Sequence, residues 1–190
     1  NEPVKEYKEG SAEKENLVNT LNKMKGKPID IPMIIDGKEI TTEKKIKITA
    51  PHDHNLHLGD FYEGDKSHVK MAIKSAKKAK NNWGSMSWQS RASIFLKAAE
   101  LIAGPYRSKI NASTMLGQSK NIYQAEIDAA CEFIDFLNFN ASYMEEIYKN
   151  QPESSDGMWN RLDYRPLEGY VFAISPFNFT SIAGNLCASP

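Results

Sequence analysis

Charge of one sign is missing from this sequence. Its 24 Lys and Arg are matched by 24 Asp and Glu over 190 residues, so the formal charge is zero. A protein whose main task is coating nucleic acid carries a basic excess, and that class is set aside. Long apolar runs are missing too: none approaches the ~20 residues of a membrane-spanning helix. The opening residues lack a secretion-signal pattern, and Asn1-Glu2-Pro3-Val4-Lys5-Glu6 is expected to be a mature or processed end. Cysteine is scarce. Cys131 and Cys187 are too few for a disulfide scaffold and lack metal-ligand spacing, which points to a reducing compartment. What is present is enough for a core: apolar residues make up 41% and aromatics 10%. The expectation is a soluble, intracellular, globular chain of one or two domains.

Periodicity divides the chain. Residues 1–28 are polar and lysine-rich, with a helix capped by Ser11, carrying Leu17, Val18, Leu21 and Met24 on one face and stopped at Gly26. Asp36-Gly37 between apolar flanks is a hairpin signal. Ile46 and Ile48 mark a half-buried strand. Pro51–Asn55 reads as a turn and His57–Glu63 as a further strand. Helices follow. Asp65 caps one with Val69, Ala72, Ile73, Ala76 and Ala79 inside and Lys70, Lys74 and Lys77 on a wet face. Others run from about Ser87 to Ala103, stopped by Gly104-Pro105, and from Tyr106 to Leu116. A long one runs from Asn121 to Lys149, with Phe133, Phe136, Leu137, Asn140, Met144 and Ile147 or Tyr148 on one stripe.

The last forty residues change character. Gln151–Gly157 is a loop, and Trp159–Tyr164 alternates like an extended strand. Tyr170-Val171-Phe172-Ala173-Ile174 is a short apolar run, the mark of a strand buried on both faces. Ser181 onwards begins a helix, giving the first βα unit of a parallel sheet. Such a strand needs neighbours reached by long crossovers, so 1–190 is expected to be part of a larger protein or to dock on something else. Asn178 stands between strand and helix. Its side-chain amide suits either capping the helix or donating to a developing oxyanion without titrating.

Glu168-Gly169-Tyr170-Val171-Phe172-Ala173-Ile174-Ser175-Pro176-Phe177-Asn178-Phe179-Thr180 resembles the segment with which aldehyde dehydrogenases open their NAD-binding domain. Three more stretches resemble one branch of that family, the delta-1-pyrroline-5-carboxylate dehydrogenases. They are Phe95-Leu96-Lys97-Ala98-Ala99-Glu100-Leu101-Ile102 with Gly104-Pro105, Gln124-Ala125-Glu126-Ile127-Asp128-Ala129-Ala130 with Glu132, and Ile134-Asp135-Phe136 with Phe139-Asn140. Asn1-Glu2-Pro3-Val4 is similar to the mature start of the mitochondrial members. The likeness extends over essentially the whole chain. It implies an α/β fold: an amino-terminal region of helices and small strands over 1–157, an extended strand over 158–168 that reaches a neighbouring subunit, and the first βα unit of a Rossmann-like NAD-binding core over 169–190. The catalytic domain, with the cysteine nucleophile and glutamate base, would lie outside this sequence.

The implied activity is NAD-dependent oxidation of L-glutamate γ-semialdehyde to L-glutamate, in the mitochondrial matrix, by a homodimer or higher homo-oligomer. The resemblance assigns oxyanion stabilisation to Asn178, and cofactor contact, largely through backbone, to Ile174, Ser175, Pro176 and Phe177. It assigns the border of the substrate site to Glu132 and Phe179. A carboxylate facing the substrate ammonium and an aromatic wall along its methylene chain would suit that substrate. Asp128, Glu132 and Asp135, however, follow helical spacing, which also fits a solvated face. G-x-G-x-x-G is absent from the chain, which counts against an ordinary Rossmann protein but not against this family, which lacks that fingerprint.

Other features carry less chemistry. Cys131 and Cys187 read as buried thiols. His52, His54 and His57 read as a solvated turn rather than a metal site, and His68 stands apart. The sequons at Asn111, Asn140 and Asn178 read as incidental. Two rivals to the enzyme reading stand: an inactive interaction module, which would need a cover for Tyr170–Ile174, and an aldehyde dehydrogenase of other specificity.

Overall fold

In the computed structural model, which describes residues 1–189, helices dominate and two small sheets lie near the amino-terminal end. Helix α1 (Ala12–Lys25) is capped by Ser11 and stopped at Gly26, as its sequence predicts. The hairpin forms from β2 (Met33–Ile35) and β3 (Lys38–Ile40). Asp36 and Gly37 both take positive φ, 54° and 72°, the pair that lets a two-residue turn match strand twist. The other sheet has the order β1-β5-β4. In it β1 (Ile29–Ile31) runs parallel to β5 (Asp53–Tyr62), and β4 (Lys45–Ala50) runs antiparallel to it. The expected turn shrinks to Pro51-His52, because Asp53 already pairs with Ala50 and joins β5.

Asp65 caps α2 (Lys66–Ser85) in a reciprocal box with His68. The expected inside face of α2 is not inside, however. Val69, Ala72, Ala76 and Ala79 are exposed, and the helix has no buried residue. Of the expected inner face only Ile73 is half-buried, beside the β2–β3 hairpin, so among the described residues little covers that face. Helices α3 (Trp88–Ala103) and α4 (Arg107–Gln118) follow, with Ser87 and Gly104 as the caps of α3.

The expected long helix begins where predicted, with Asn121 and Gln124 in a reciprocal capping box. It is not uniform. After α5 (Ile122–Ala125) comes a π-helical segment, Glu126–Cys131, and then α6 (Glu132–Lys149). Of the expected stripe Leu137 is buried, Phe133, Phe136, Asn140 and Met144 are half-buried, and Tyr148 rather than Ile147 lies on the inner side; Ile134, outside that stripe, is buried as well. Ala99, Ile134 and Leu137 centre one core, with Phe95, Ile102 and Phe133 against it. Burial of each large apolar side chain there is worth ~1.5–3 kcal/mol. Tyr7, Leu17 and Ala112 centre a second core between the amino-terminal arm, α1 and α4.

Beside the second core lies Glu126, which has 0% exposure and bonds Tyr7. Its carboxylate accepts from the Lys5 N–H at 2.8 Å, Tyr7 Oη at 2.7 Å and Asn111 Nδ2 at 2.8 Å. The buried guanidinium of Arg107 donates to it through Nη2 at 2.5 Å and through Nε. Arg107 also reaches the Pro3 carbonyl and pairs with Glu2. Burial pushes the Glu126 carboxyl upward, but the bonds from Arg107, Lys5, Tyr7 and Asn111 outweigh it and hold it below the ordinary range. Burial and the Glu126 charge push the Tyr7 hydroxyl far up. Buried Cys131 shares this surrounding; burial and Glu126 raise its thiol to about 11, which makes it inert.

Two expected strands do not form. Trp159–Tyr164 and Tyr170–Ile174 are irregular and mostly exposed, Phe172 at 78%. A strand exists only by pairing, and among the described residues no strand lies beside either run. Helix α7 (Thr180–Ala188) does follow. It docks on α6 by close approach at Gly184, where an added Cβ would come within 2.2 Å of Phe133 Cζ, and by an Asn140–Asn185 side-chain bond of 2.8 Å.

Two outcomes are expected. Glu126→Gln takes from buried Arg107 its fully buried counter-charge, leaving only the pair with Glu2, and should cost about 3–5 kcal/mol in urea unfolding at neutral pH. Because the folded pKa of Glu126 is depressed, its stabilisation is present above the unfolded carboxylate value and fades as pH falls through the folded one. The gap between wild type and variant should therefore narrow in acid; a gap that is small, or constant with pH, would contradict this account. Gly184→Ala must displace the Phe133 ring and should destabilise by about 1–3 kcal/mol. A melting temperature equal to wild type would show that the α6–α7 contact is loose.

Candidate functional site

The expected site residues converge on the start of α7. Phe179 is the residue before the helix, and its side chain makes no cap bond. The exposed donors at a helix start must still be met, and here a distant carboxylate does it. Asp128 Oδ1 accepts from Ser181 Oγ at 3.0 Å and the Ser181 N–H at 3.4 Å, and Oδ2 accepts from the Thr180 N–H at 3.4 Å. A negative charge at this end also complements the helix dipole. Asp128 is nearly buried, and Lys120 Nζ lies 2.6 Å from its Oδ2.

Lys120 has three contacts. Besides Asp128, its ammonium donates to the Asn178 carbonyl at 2.5 Å and sits 4.5 Å from the centre of the Phe179 ring. Thr180 is held a second way, by Thr114 Oγ1 at 2.8 Å and Gln118 Nε2 at 3.0 Å. The backbone from Asn178 to Ser181 is thereby fixed to α4, the π segment and the loop between them.

Asn178 does not cap α7. Its backbone is held, while its exposed side-chain amide makes no hydrogen bond among the described residues. Glu132 is half-buried, and its Oε2 lies 3.0 Å from the Ser181 Oγ, so it and Asp128 share the one proton of that hydroxyl. The solvated-face alternative for Asp128, Glu132 and Asp135 therefore fails: the first two meet the α7 start, and Asp135 accepts from the Glu2 N–H at 2.7 Å. Asn178, Phe179 and Glu132 thus share one neighbourhood. Ile174, Ser175, Pro176 and Phe177 lead into it on open backbone, with Phe177 93% exposed and Ser175 Oγ turned to Cys187 Sγ at 3.4 Å.

Cys187 is exposed, not buried as expected, because it lies on the outer side of a helix covered on one side only. The histidines do not act together. His52 bonds Ser119, His57 bonds Asp60 and the Gly59 carbonyl, and His68 caps α2. Among the described residues no group of three or more His, Cys, Asp or Glu is placed to hold a metal ion, and no helix is long and apolar enough to cross a membrane. Sequence reasoning missed Lys120, Asp128 and Ser181 as partners. The one available signal was a Ser in the first turn of α7 with no acidic residue near it to cap the helix.

The chain is similar to known proteins in sequence and in fold. The sequence profile described as the aldehyde dehydrogenase family matches residues 39–186. The chain is 51% identical over 192 residues to the delta-1-pyrroline-5-carboxylate dehydrogenase of Agaricus bisporus, with 100% of this chain and 35% of that protein covered. It is 46% identical to the mitochondrial delta-1-pyrroline-5-carboxylate dehydrogenase of Dictyostelium discoideum, with 100% and 34% covered. Its fold matches the crystal structure of the Mycobacterium tuberculosis delta-pyrroline-5-carboxylate dehydrogenase bound with NAD at a TM-score of 0.95 and 48% identity, over 98% of this chain and 35% of that one. The chain spans about a third of the length of these relatives. A profile match over most of its residues establishes that the chain belongs to the aldehyde dehydrogenase family.

Proposed function

We propose that these residues are the amino-terminal third of an NAD-dependent dehydrogenase that oxidises L-glutamate γ-semialdehyde to L-glutamate. The observation that carries the reading is the Asn178 amide, without a hydrogen-bond partner among the described residues, on a backbone held at its own carbonyl by Lys120 and at the Thr180 N–H by Asp128, at the helix start that Glu132 also meets through Ser181. The names of the relatives at 51% and 46% identity support the substrate.

Each residue has a distinct task in this reading. The Asn178 amide donates to the aldehyde oxygen as attack on the carbonyl carbon gives it negative charge. Pre-placed donors help because they need no reorganisation at that moment. Glu132, already held by Ser181, has lone pairs left for the substrate ammonium. Phe179 flanks the methylenes. The peptide groups of 174–177 are open and outside any sheet or turn, a donor set that fits a ligand held through backbone rather than by a glycine-rich loop. NAD bound there would accept hydride from the substrate carbon. Tyr170–Ile174 is proposed as the first strand of that cofactor domain, and its exposed apolar side chains call for neighbours from the remaining length seen in the relatives. Residues 1–157 would form the scaffold and 158–168 an arm to a second copy. A mitochondrial setting is supported by the names of several relatives.

In the full-length enzyme, Asn178→Ala should lower kcat by roughly 10²–10³-fold, the loss of ~2.7–4 kcal/mol seen for one oxyanion donor; near-normal turnover would remove the assignment. Glu132→Gln keeps the Ser181 acceptor and deletes the charge. It should lower kcat/KM for glutamate semialdehyde by about ten- to a hundredfold, since bonds to charged groups are worth ~1.5–3 kcal/mol. Oxidation of a simple aliphatic aldehyde should be spared, and an equal loss on both substrates would show that Glu132 does not meet the ammonium.

A further inference from the structure

We propose that Lys120 and Asp128 are a positioning pair for the oxyanion donor: Asp128 fixes where α7 begins, and Lys120 sets the orientation of the Asn178 peptide so that the side-chain amide points at the reacting carbonyl. The inference rests on the reading of Asn178 given above and goes beyond it, because neither residue need touch substrate or cofactor.

The geometry is specific. Asp128 spends both carboxylate oxygens on the first two residues of α7, with no help from a local capping side chain. Its remaining strong partner is Lys120. Lys120 donates to a main-chain carbonyl, that of Asn178, and stacks its charge on the next side chain, Phe179. One ammonium therefore restrains two consecutive residues, the proposed oxyanion donor and the proposed substrate wall. Both groups are mostly withdrawn from solvent, at 17% and 7% side-chain exposure, where a charged pair with good geometry holds its place better than on an open surface. The Asn178 amide itself has no side-chain partner among the described residues. Its aim must come from the backbone, and Lys120 is what holds that backbone.

The test is a double-mutant cycle in the full-length enzyme, with L-glutamate γ-semialdehyde and NAD as substrates. Lys120→Met is made in the wild-type and in the Asn178→Ala background, and Asp128→Asn likewise. Misplacement of a reacting group by about an ångström can cost ~10²-fold, so each variant should lower kcat by up to about a hundredfold in the wild-type background while the KM for NAD stays put. In the Asn178→Ala background each should lower kcat no further, because there is no amide left to aim; any effect through Phe179 falls on the KM for the semialdehyde. Equal losses in both backgrounds would overturn the proposal, since a merely structural role does not depend on Asn178. Wild-type kcat in Lys120→Met, with Asn178→Ala crippled, would overturn the positioning role and leave the oxyanion reading standing. Wild-type kcat in Asn178→Ala itself would remove that reading and this one with it. If Lys120→Met does not fold, Asp128→Asn is judged by the same rule; failure of both to fold would make the pair a folding element and overturn the proposal.

Discussion

Burying the Glu126 carboxylate sets the terms for the rest of this chain. A charge with no exposure needs donors on every side, since its desolvation would otherwise cost several kcal/mol. Glu126 draws them from the amino-terminal arm through Lys5 and Tyr7 and from α4 through Arg107 and Asn111. Arg107 in turn ties down Pro3 and Glu2. Segments more than a hundred residues apart in sequence are locked against one side of a helix. The lock sits at the first residue of the π segment. Such wide turns are rare and poorly favoured on their own, and here the surrounding bonds hold one in place.

The consequence for the site follows from which way the side chains turn. Two residues further along, Asp128 meets Lys120 and the start of α7, away from the Glu126 network. Glu132, the first residue after the π segment, meets the same Ser181. One wide turn thus aims one carboxylate into the core and two toward the helix that carries the proposed chemistry. The position of α7 inherits its definition from the buried network on the opposite side of the same element.

Much of the scaffold was legible in the sequence, and the reason is locality. Ser11, Asp65, Ser87 and Asn121 cap helices because a cap is settled within three or four residues. Asp36-Gly37 makes its turn because both residues tolerate positive φ. Asn178, Phe179 and Glu132 were found through the likeness to a family, and the structure gathers them at one helix start. What failed was long-range. The strand patterns at Trp159–Tyr164 and Tyr170–Ile174 state what those residues would do beside a partner, and so does the inner face of α2. Among the described residues no strand lies beside either run, and α2 buries no residue. The π segment was invisible for a related reason: nothing in Glu126–Cys131 disfavours an ordinary helix, and the groups bonded to Glu126 come from distant parts of the chain.

The contrast between the ordered and the open parts of the chain has a physical logic. The Asn178–Ser181 backbone is pinned by Lys120 and Asp128, and the Thr180 side chain by Thr114 and Gln118, whereas Ile174, Ser175 and Phe177 just before it are exposed and lie outside any helix or sheet. A donor that must meet a developing charge gains from rigidity, because any freedom it retains must be frozen out in the transition state. A segment that receives a cofactor through its backbone needs the opposite, peptide groups not already committed to a ladder. The division between the two falls between Phe177 and Asn178, where the first anchor, the ammonium of Lys120, takes hold.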